Sequence, residues 1–176
     1  MNENHVGQSQ FPMFDSALAY AQHGFHVFPL HSMRNGRCSC NRDCGKTAGK
    51  HPRVAGGFKA ATADPEQILA WWRKWSDANI GIATGAVSGI IVLDVDGAEG
   101  HAALQKLIAK HGPLPRTPVV KTARGWHLYY GLPPGKVISC STGGGLDVRG
   151  EGGYVVAPPS VHASEHIYHW CEHAVA

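Results

Sequence analysis

Apolar residues recur along the chain with two periods, and each period marks an element. Residues 15–23 set Ala17, Leu18 and Ala21 on one side at helical spacing, with Asp15 as the expected cap and Gly24 as the stop. Residues 25–30 follow as a strand. A second helix is predicted over 65–75. Asp64 caps it, Pro65 occupies its first turn and Gln67 completes a capping-box pattern. Ile68, Trp71, Trp72 and Trp75 fall at helical spacing there, a stripe that reads as core packing and not as a base-stacking platform. Residues 80–84 form a short strand. The stretch Gly89-Ile90-Ile91-Val92-Leu93-Asp94-Val95-Asp96-Gly97 then opens as an unbroken apolar run and ends in a pair of carboxylates. Such a run reads as a strand buried on both faces. A third helix is expected over 99–111, with Ala103, Leu104, Leu107 and Ile108 inward and Gly112 closing it. Strands follow at 119–122, 127–131, 146–149, 154–157 and, as a last edge, 168–170, with Gly125, Gly131 and the glycines 143–145 at the turns. Strands interspersed with helices define an α/β (α+β) domain without an internal boundary.

The pattern fails between residues 31 and 57, where Gly, Arg and Cys dominate. Cys38, Cys40, Cys44 and His51 offer three thiolates and an imidazole within fourteen residues. A closed Cys3His set suits structural Zn²⁺, which would order an insert with little core of its own. The Cys-x-Cys spacing is tighter than the usual Cys-x2-Cys. Five cysteines in all, three of them clustered, fit a reducing compartment better than a disulfide framework. His162, His166, His169, His173 and Cys171 form a looser donor group whose spacing fits no compact site. The net charge of +3 says little about partners, but Arg34 to Lys59 carries seven basic residues and one acid. That excess suits phosphates, or a solvated basic loop. No apolar run approaches the ~20 residues of a membrane span, and the polar N-terminus lacks a secretory core.

Strand alternation puts Asp94 and Asp96 on one face, about 6–7 Å apart at Cα. Two like charges there call for a raised pKa or a cation, and Mg²⁺ or Mn²⁺ suits paired carboxylates; a solvated strand end is the plainer alternative. Further on, Thr122-Ala123-Arg124-Gly125-Trp126-His127 turns one strand into another. Gly125 would let backbone approach a ligand, His127 would donate to a phosphate and Arg124 would add charge. Gly143 to Gly150 then places a third carboxylate, Asp147, on a short strand after a flexible loop.

Asp94-x-Asp96, Gly125-Trp126-His127 and Leu146-Asp147, in this order, resemble the three motifs of archaeo-eukaryotic primases. Residues 79–85, 90–96, 145–150 and 153–160 are similar to the bifunctional primase/polymerase (prim-pol) domain of phage and plasmid replication proteins, and Gly49-Lys50-His51-Pro52 also looks like many members. The resemblance runs from about residue 14 to 170. It implies an archaeo-eukaryotic primase fold with a catalytic sheet related to the RNA-recognition motif, occupying 13–171, with a zinc stem at 31–57 and tails at 1–12 and 172–176. It implies template-directed nucleotidyl transfer in the cytoplasm of a bacterial or archaeal host. Asp94, Asp96 and Asp147 would hold Mg²⁺ or Mn²⁺, and His127 would contact the triphosphate. Arg124, Arg149, Ser160 and His162 are further candidates for nucleotide contacts. DNA template, primer and nucleoside triphosphates are the implied partners, with a helicase and a helical template-recognition domain, fused or separate. A metal-dependent nuclease or phosphodiesterase using the same carboxylates, and a non-catalytic zinc-stabilised nucleic-acid-binding module, are the alternatives.

Overall fold

The structure is a computed structural model and describes residues 11–172. The tails expected at 1–12 and 172–176, and His173 with them, lie almost wholly outside the described residues. Helix α1 spans Pro12–Gln22. It starts at Pro12 and not at Asp15, because proline's fixed φ and missing N–H suit a first helical turn. Asp15 instead supplies an acid to that turn, and its N–H donates to the Phe11 carbonyl at 3.0 Å. Helix α2 spans Pro65–Lys74, and the Asp64 carboxylate accepts from the Glu66 N–H at 3.0 Å, as the cap signal implied. Ile68 and Trp72 are buried, and Trp71 and Trp75 pack against the same core, so the stripe is structural. Helix α3 spans Gly97–His111 and closes at Gly112. Leu104 is buried beneath it, but Leu107, expected inward, is 36% exposed.

Strands β1 (Val27–Leu30), β4 (Asn79–Ala83) and β9 (Tyr154–Ala157) form one antiparallel sheet in the order β1-β4-β9. Pro29 is tolerated because β1 is its edge strand. A second sheet has the order β10-β6-β7-β5-β8, built from β5 (Ile90–Asp96), β6 (Val119–Lys121), β7 (Gly125–Gly131), β8 (Leu146–Arg149) and β10 (His169–Trp170). Strands β5 and β6 run parallel with β7 between them, so β5-α3-β6 is a split βαβ crossover. A hairpin of β2 (Met33–Arg34) and β3 (Arg37–Cys38) lies in the insert.

Strand β5 separates two apolar clusters, which explains its unbroken apolar run. Ile90 and Val92 face the first cluster, with Phe28, Ile80 and Val155 of the other sheet and Trp72 of α2. Leu93 and Val95 face the second, with Leu104 of α3 and Leu128 of β7. By alternation, Asp94 and Asp96 continue the row of Ile90 and Val92. The face that packs against the other sheet therefore turns from apolar to acidic at its end.

Candidate nucleotide and metal site

Register assembles the acidic face. Asp94 on β5 is paired with His127 on β7 and with Asp147 on β8. Cross-strand partners point to the same face, so three residues far apart in sequence form one row. Asp96 lies two residues along that face, opposite Gly125. A side chain at Gly125 would strike the Val95 carbonyl. The missing Cβ admits the neighbouring strand β5. The Gly125 N–H donates to Thr122 Oγ1 at 2.9 Å and fixes the turn that presents Arg124. Gly145 plays a similar part at φ +79°, where a Cβ would meet the Asp96 carbonyl and the Gly100 nitrogen. This close approach lets the glycine run close onto the end of β5, where the Asp96 N–H donates to the Gly145 carbonyl at 2.7 Å.

Each carboxylate meets an arginine. Arg149 Nη2 lies 3.1 Å from Asp94 Oδ2 and 2.9 Å from Asp147 Oδ2, bridging the two. Arg124 forms a two-pronged pair with Asp96, its Nε donating to Oδ1 at 2.9 Å. Asp147 Oδ1 also accepts from the Gly143 N–H at 3.1 Å. The acidic pair, for which the sequence left open a raised pKa, a cation or a solvated strand end, here meets two guanidinium groups, Arg149 at Asp94 and Arg124 at Asp96. With Asp96 turned to Arg124, the three carboxylates do not converge as tightly as the cysteine cluster does. The gap between Asp94 and Asp147 nevertheless holds a positive nitrogen, so the donor set and position suit a cation.

His127 is buried, and burial lowers its pKa, with Asp94 opposing and Arg149 and Lys50 reinforcing. The imidazole is therefore neutral near pH 7. Its Nε2 stands 3.5 Å from Asp94 Oδ1, too far for a firm hydrogen bond, and its buried Nδ1 has no hydrogen-bond partner among the described residues. A neutral imidazole carries one N–H, and neither ring nitrogen is held by a firm hydrogen bond among the described residues, so that single donor is available to a ligand.

These groups border a cavity of about 440 Å³. Arg124, Arg149, Lys46 and Lys50 line it against Asp94 and Asp96, a cationic excess that suits a polyanion. His162 lines it too, its pKa lowered by burial and by Lys50. Asp147, bonded to Arg149, is not part of the lining. Ser160, expected at the nucleotide, is fully buried, and its Oγ accepts from the Ile80 N–H at 2.9 Å. It supports β4 and does not reach the cavity. Lys50 and Lys46 were not singled out as site residues by sequence reasoning. The signal available was Gly49-Lys50-His51-Pro52, a lysine beside a metal-ligand candidate.

The cysteine insert covers one wall. Cys38, Cys40, Cys44 and His51 bring one ligand atom each to within 4.8 Å of one another. Cys40 Sγ lies 3.0 Å from Cys44 Sγ, and His51 Nε2 lies 3.3 Å from both Cys38 and Cys44. A tetrahedron with arms of about 2.3 Å has edges of about 3.8 Å, so these separations fit Zn²⁺ after small adjustments. The contact between the thiols favours the Cys40 thiolate and raises Cys44 to about 12. Two thiols so close do not both deprotonate without a cation. His31 stacks on His51 at 4.4 Å between ring centroids and holds Ser39 Oγ at 2.8 Å. Among the described residues, His162, His166, His169 and Cys171 are not drawn into a comparable cluster; Cys171 packs against the apolar cluster beneath α3.

A mixed α/β domain with an acidic row, a basic cavity and a Cys3His cluster is a form suited to chemistry on nucleotides. The family model of the bifunctional DNA primase/polymerase N-terminal domain matches residues 17–176, and the chain belongs to this family. Membership implies DNA primase and polymerase activity, with binding of DNA and nucleotides. No curated protein matches the chain. Among the described residues, no helix is long and apolar enough to cross a membrane.

Proposed function

We propose that this chain is a template-directed, divalent-metal-dependent nucleotidyltransferase, a DNA primase/polymerase acting in phage or plasmid replication in the cytoplasm of a bacterial or archaeal host. The observation that carries the reading is the row His127–Asp94–Asp147, set by strand register beside a cavity rich in cations. Asp94, Asp96 and Asp147 would hold Mg²⁺ or Mn²⁺. Such ions, when bound, make the primer 3′-hydroxyl more acidic and neutralise the departing pyrophosphate. In the transfer, the 3′-oxygen bonds to the α-phosphorus, its proton leaves, and the bond to the pyrophosphate oxygen breaks. The chain positions and neutralises, and it supplies no nucleophile.

Arg149 and Arg124 are counter-ions of the acidic face until a cation takes their place. Released, they stand at the cavity wall as phosphate clamps. Neutral His127 donates one ring N–H to a phosphate oxygen and keeps that contact directional. His162 contributes from the far wall. The Cys3His cluster is a structural zinc site, since four protein ligands leave no open position. The basic insert guides template or primer backbone, a contact that weakens with salt.

The decisive experiment is extension of a labelled primer on a DNA template with four dNTPs and Mg²⁺ or Mn²⁺, against the Asp94→Ala/Asp96→Ala variant. Templated extension by the wild type alone is expected. Primer shortening would replace this reading with a nuclease. Tight DNA binding without any change in the primer would leave a binding module.

A further inference from the structure

We propose that the loop from Cys44 to His51 couples the structural metal site to the nucleotide cavity, with Lys50 as a phosphate ligand whose placement depends on that metal. The inference rests on the reading of the cavity as a nucleotide site. Both ends of the loop are members of the metal cluster, and six residues lie between them. Three of the six, Lys46, Thr47 and Lys50, line the cavity. A closure this short cannot change at its ends without moving its middle. The loop's far end is also bolted to the domain. The Gly49 N–H points to Cys38 Sγ at 3.5 Å, Asn79 Nδ2 donates to the Gly49 carbonyl at 2.8 Å, and the Tyr154 hydroxyl donates to the Lys50 carbonyl at 3.1 Å. One short segment thus carries a contact to a cysteine sulfur on one side and a cavity wall on the other.

Lys50 differs from the two arginines of the wall in pairing, and from Lys46 in being partly buried and not exposed. Arg124 and Arg149 are each paired with a carboxylate, and among the described residues no ion pair includes Lys50. A partly buried ammonium that faces the cavity near Asp94 and Asp96, yet makes no direct ion pair among the described residues, is suited to an anionic ligand. The chemistry on offer is a triphosphate, whose outer phosphates carry more charge than a monophosphate.

The test measures the affinity of the zinc-loaded chain for a dNTP and for the matching dNMP in Mg²⁺, in the wild type, Lys50→Met and His127→Ala. Lys50→Met keeps the apolar stem and removes the charge. It is expected to weaken dNTP binding about 10- to 100-fold, the range for one charge-assisted hydrogen bond, and dNMP binding far less. Zinc is then stripped with a chelator, the chelator is removed, and binding is measured again. Stripping should weaken dNTP binding in the wild type by a similar factor and add less than about twofold in Lys50→Met, because coupled sites are not additive. Hydrogen exchange should rise at residues 38–51 and stay unchanged in β5. Wild-type affinity in Lys50→Met overturns the proposal. Equal losses on stripping in both backgrounds overturn the coupling, and so does stripping that unfolds the sheet. Loss of binding in His127→Ala but not in Lys50→Met sinks this inference alone. No metal-dependent nucleotide binding by the wild type sinks the underlying reading as well.

Discussion

Arg149 occupies the position that the proposed catalytic cation would take, and its removal has a calculable effect. Asp94 and Asp147 are directly opposed across β5 and β8, which puts their Cβ atoms about 5 Å apart. At an effective dielectric of about 20, two negative charges at that separation repel by about 3 kcal/mol. The carboxylates are 18% and 21% exposed and Arg149 is 33% exposed, so salt and water reduce this to about 2 kcal/mol. Arg149→Ala should therefore destabilise the ion-free protein by about 2 kcal/mol, or roughly 4–8 °C in Tm for a chain of this length. Adding Mg²⁺ or Mn²⁺ should restore more stability to the variant than to the wild type, because the internal competitor is gone. Asp147→Asn added to Arg149→Ala should recover much of the loss without any metal. The assay is thermal unfolding followed by circular dichroism across a divalent-ion titration, in buffer free of chelators so that the cysteine site keeps its zinc. Stability of Arg149→Ala equal to the wild type's without divalent ions, or a response to them no larger than the wild type's, would refute the role of Arg149 as the internal counter-ion.

Gly125→Ala should cost about 3 kcal/mol, because its Cβ strikes the Val95 carbonyl between paired strands and backbone cannot give way; urea unfolding showing a loss below about 1 kcal/mol would contradict this packing. Asn79→Ala should cost about 3 kcal/mol or more. It strips hydrogen bonds from the Gly49 carbonyl of the insert and from the Val161 carbonyl and N–H in the segment after β9, all of which are tied to β4 through this one side chain. A urea midpoint within error of the wild type would refute that role. Burial holds His127 neutral below its ordinary value of 6.5, so its contribution to stability is complete above that pH and is lost as pH falls toward the depressed folded-state value. Without divalent ions, the acid-side loss of stability should be smaller in His127→Gln than in the wild type, and an identical loss in both would show that another group is responsible.

Local pattern determined what depends on nearest neighbours along the chain. The period-2 and period-3.6 runs located most elements within a residue or two, and the cap signal at Asp64 was read correctly because capping is decided within one turn. The cysteine cluster was legible for a similar reason, since its ligands lie within fourteen residues. Alternation alone put Asp94 and Asp96 on one face. Pairing across the sheet was decided only by tertiary structure, because register depends on which strands meet and not on either strand alone. That choice put Asp147 and His127 opposite Asp94, bridged Asp94 and Asp147 with Arg149, and gave Arg124 to Asp96. It also assigned two glycine-dependent contacts to strand packing, withdrew Ser160 to a buried support of β4, and left Leu107 at the surface. Lys50 shows the difference most plainly. In sequence it is one basic residue among seven in a loop, and only the anchoring of the insert on the first sheet, through Asn79 and Tyr154, brings it to the cavity that Asp94 and Asp96 line. Helical and strand periods are properties of the chain, whereas electrostatic partners are properties of the space into which it folds.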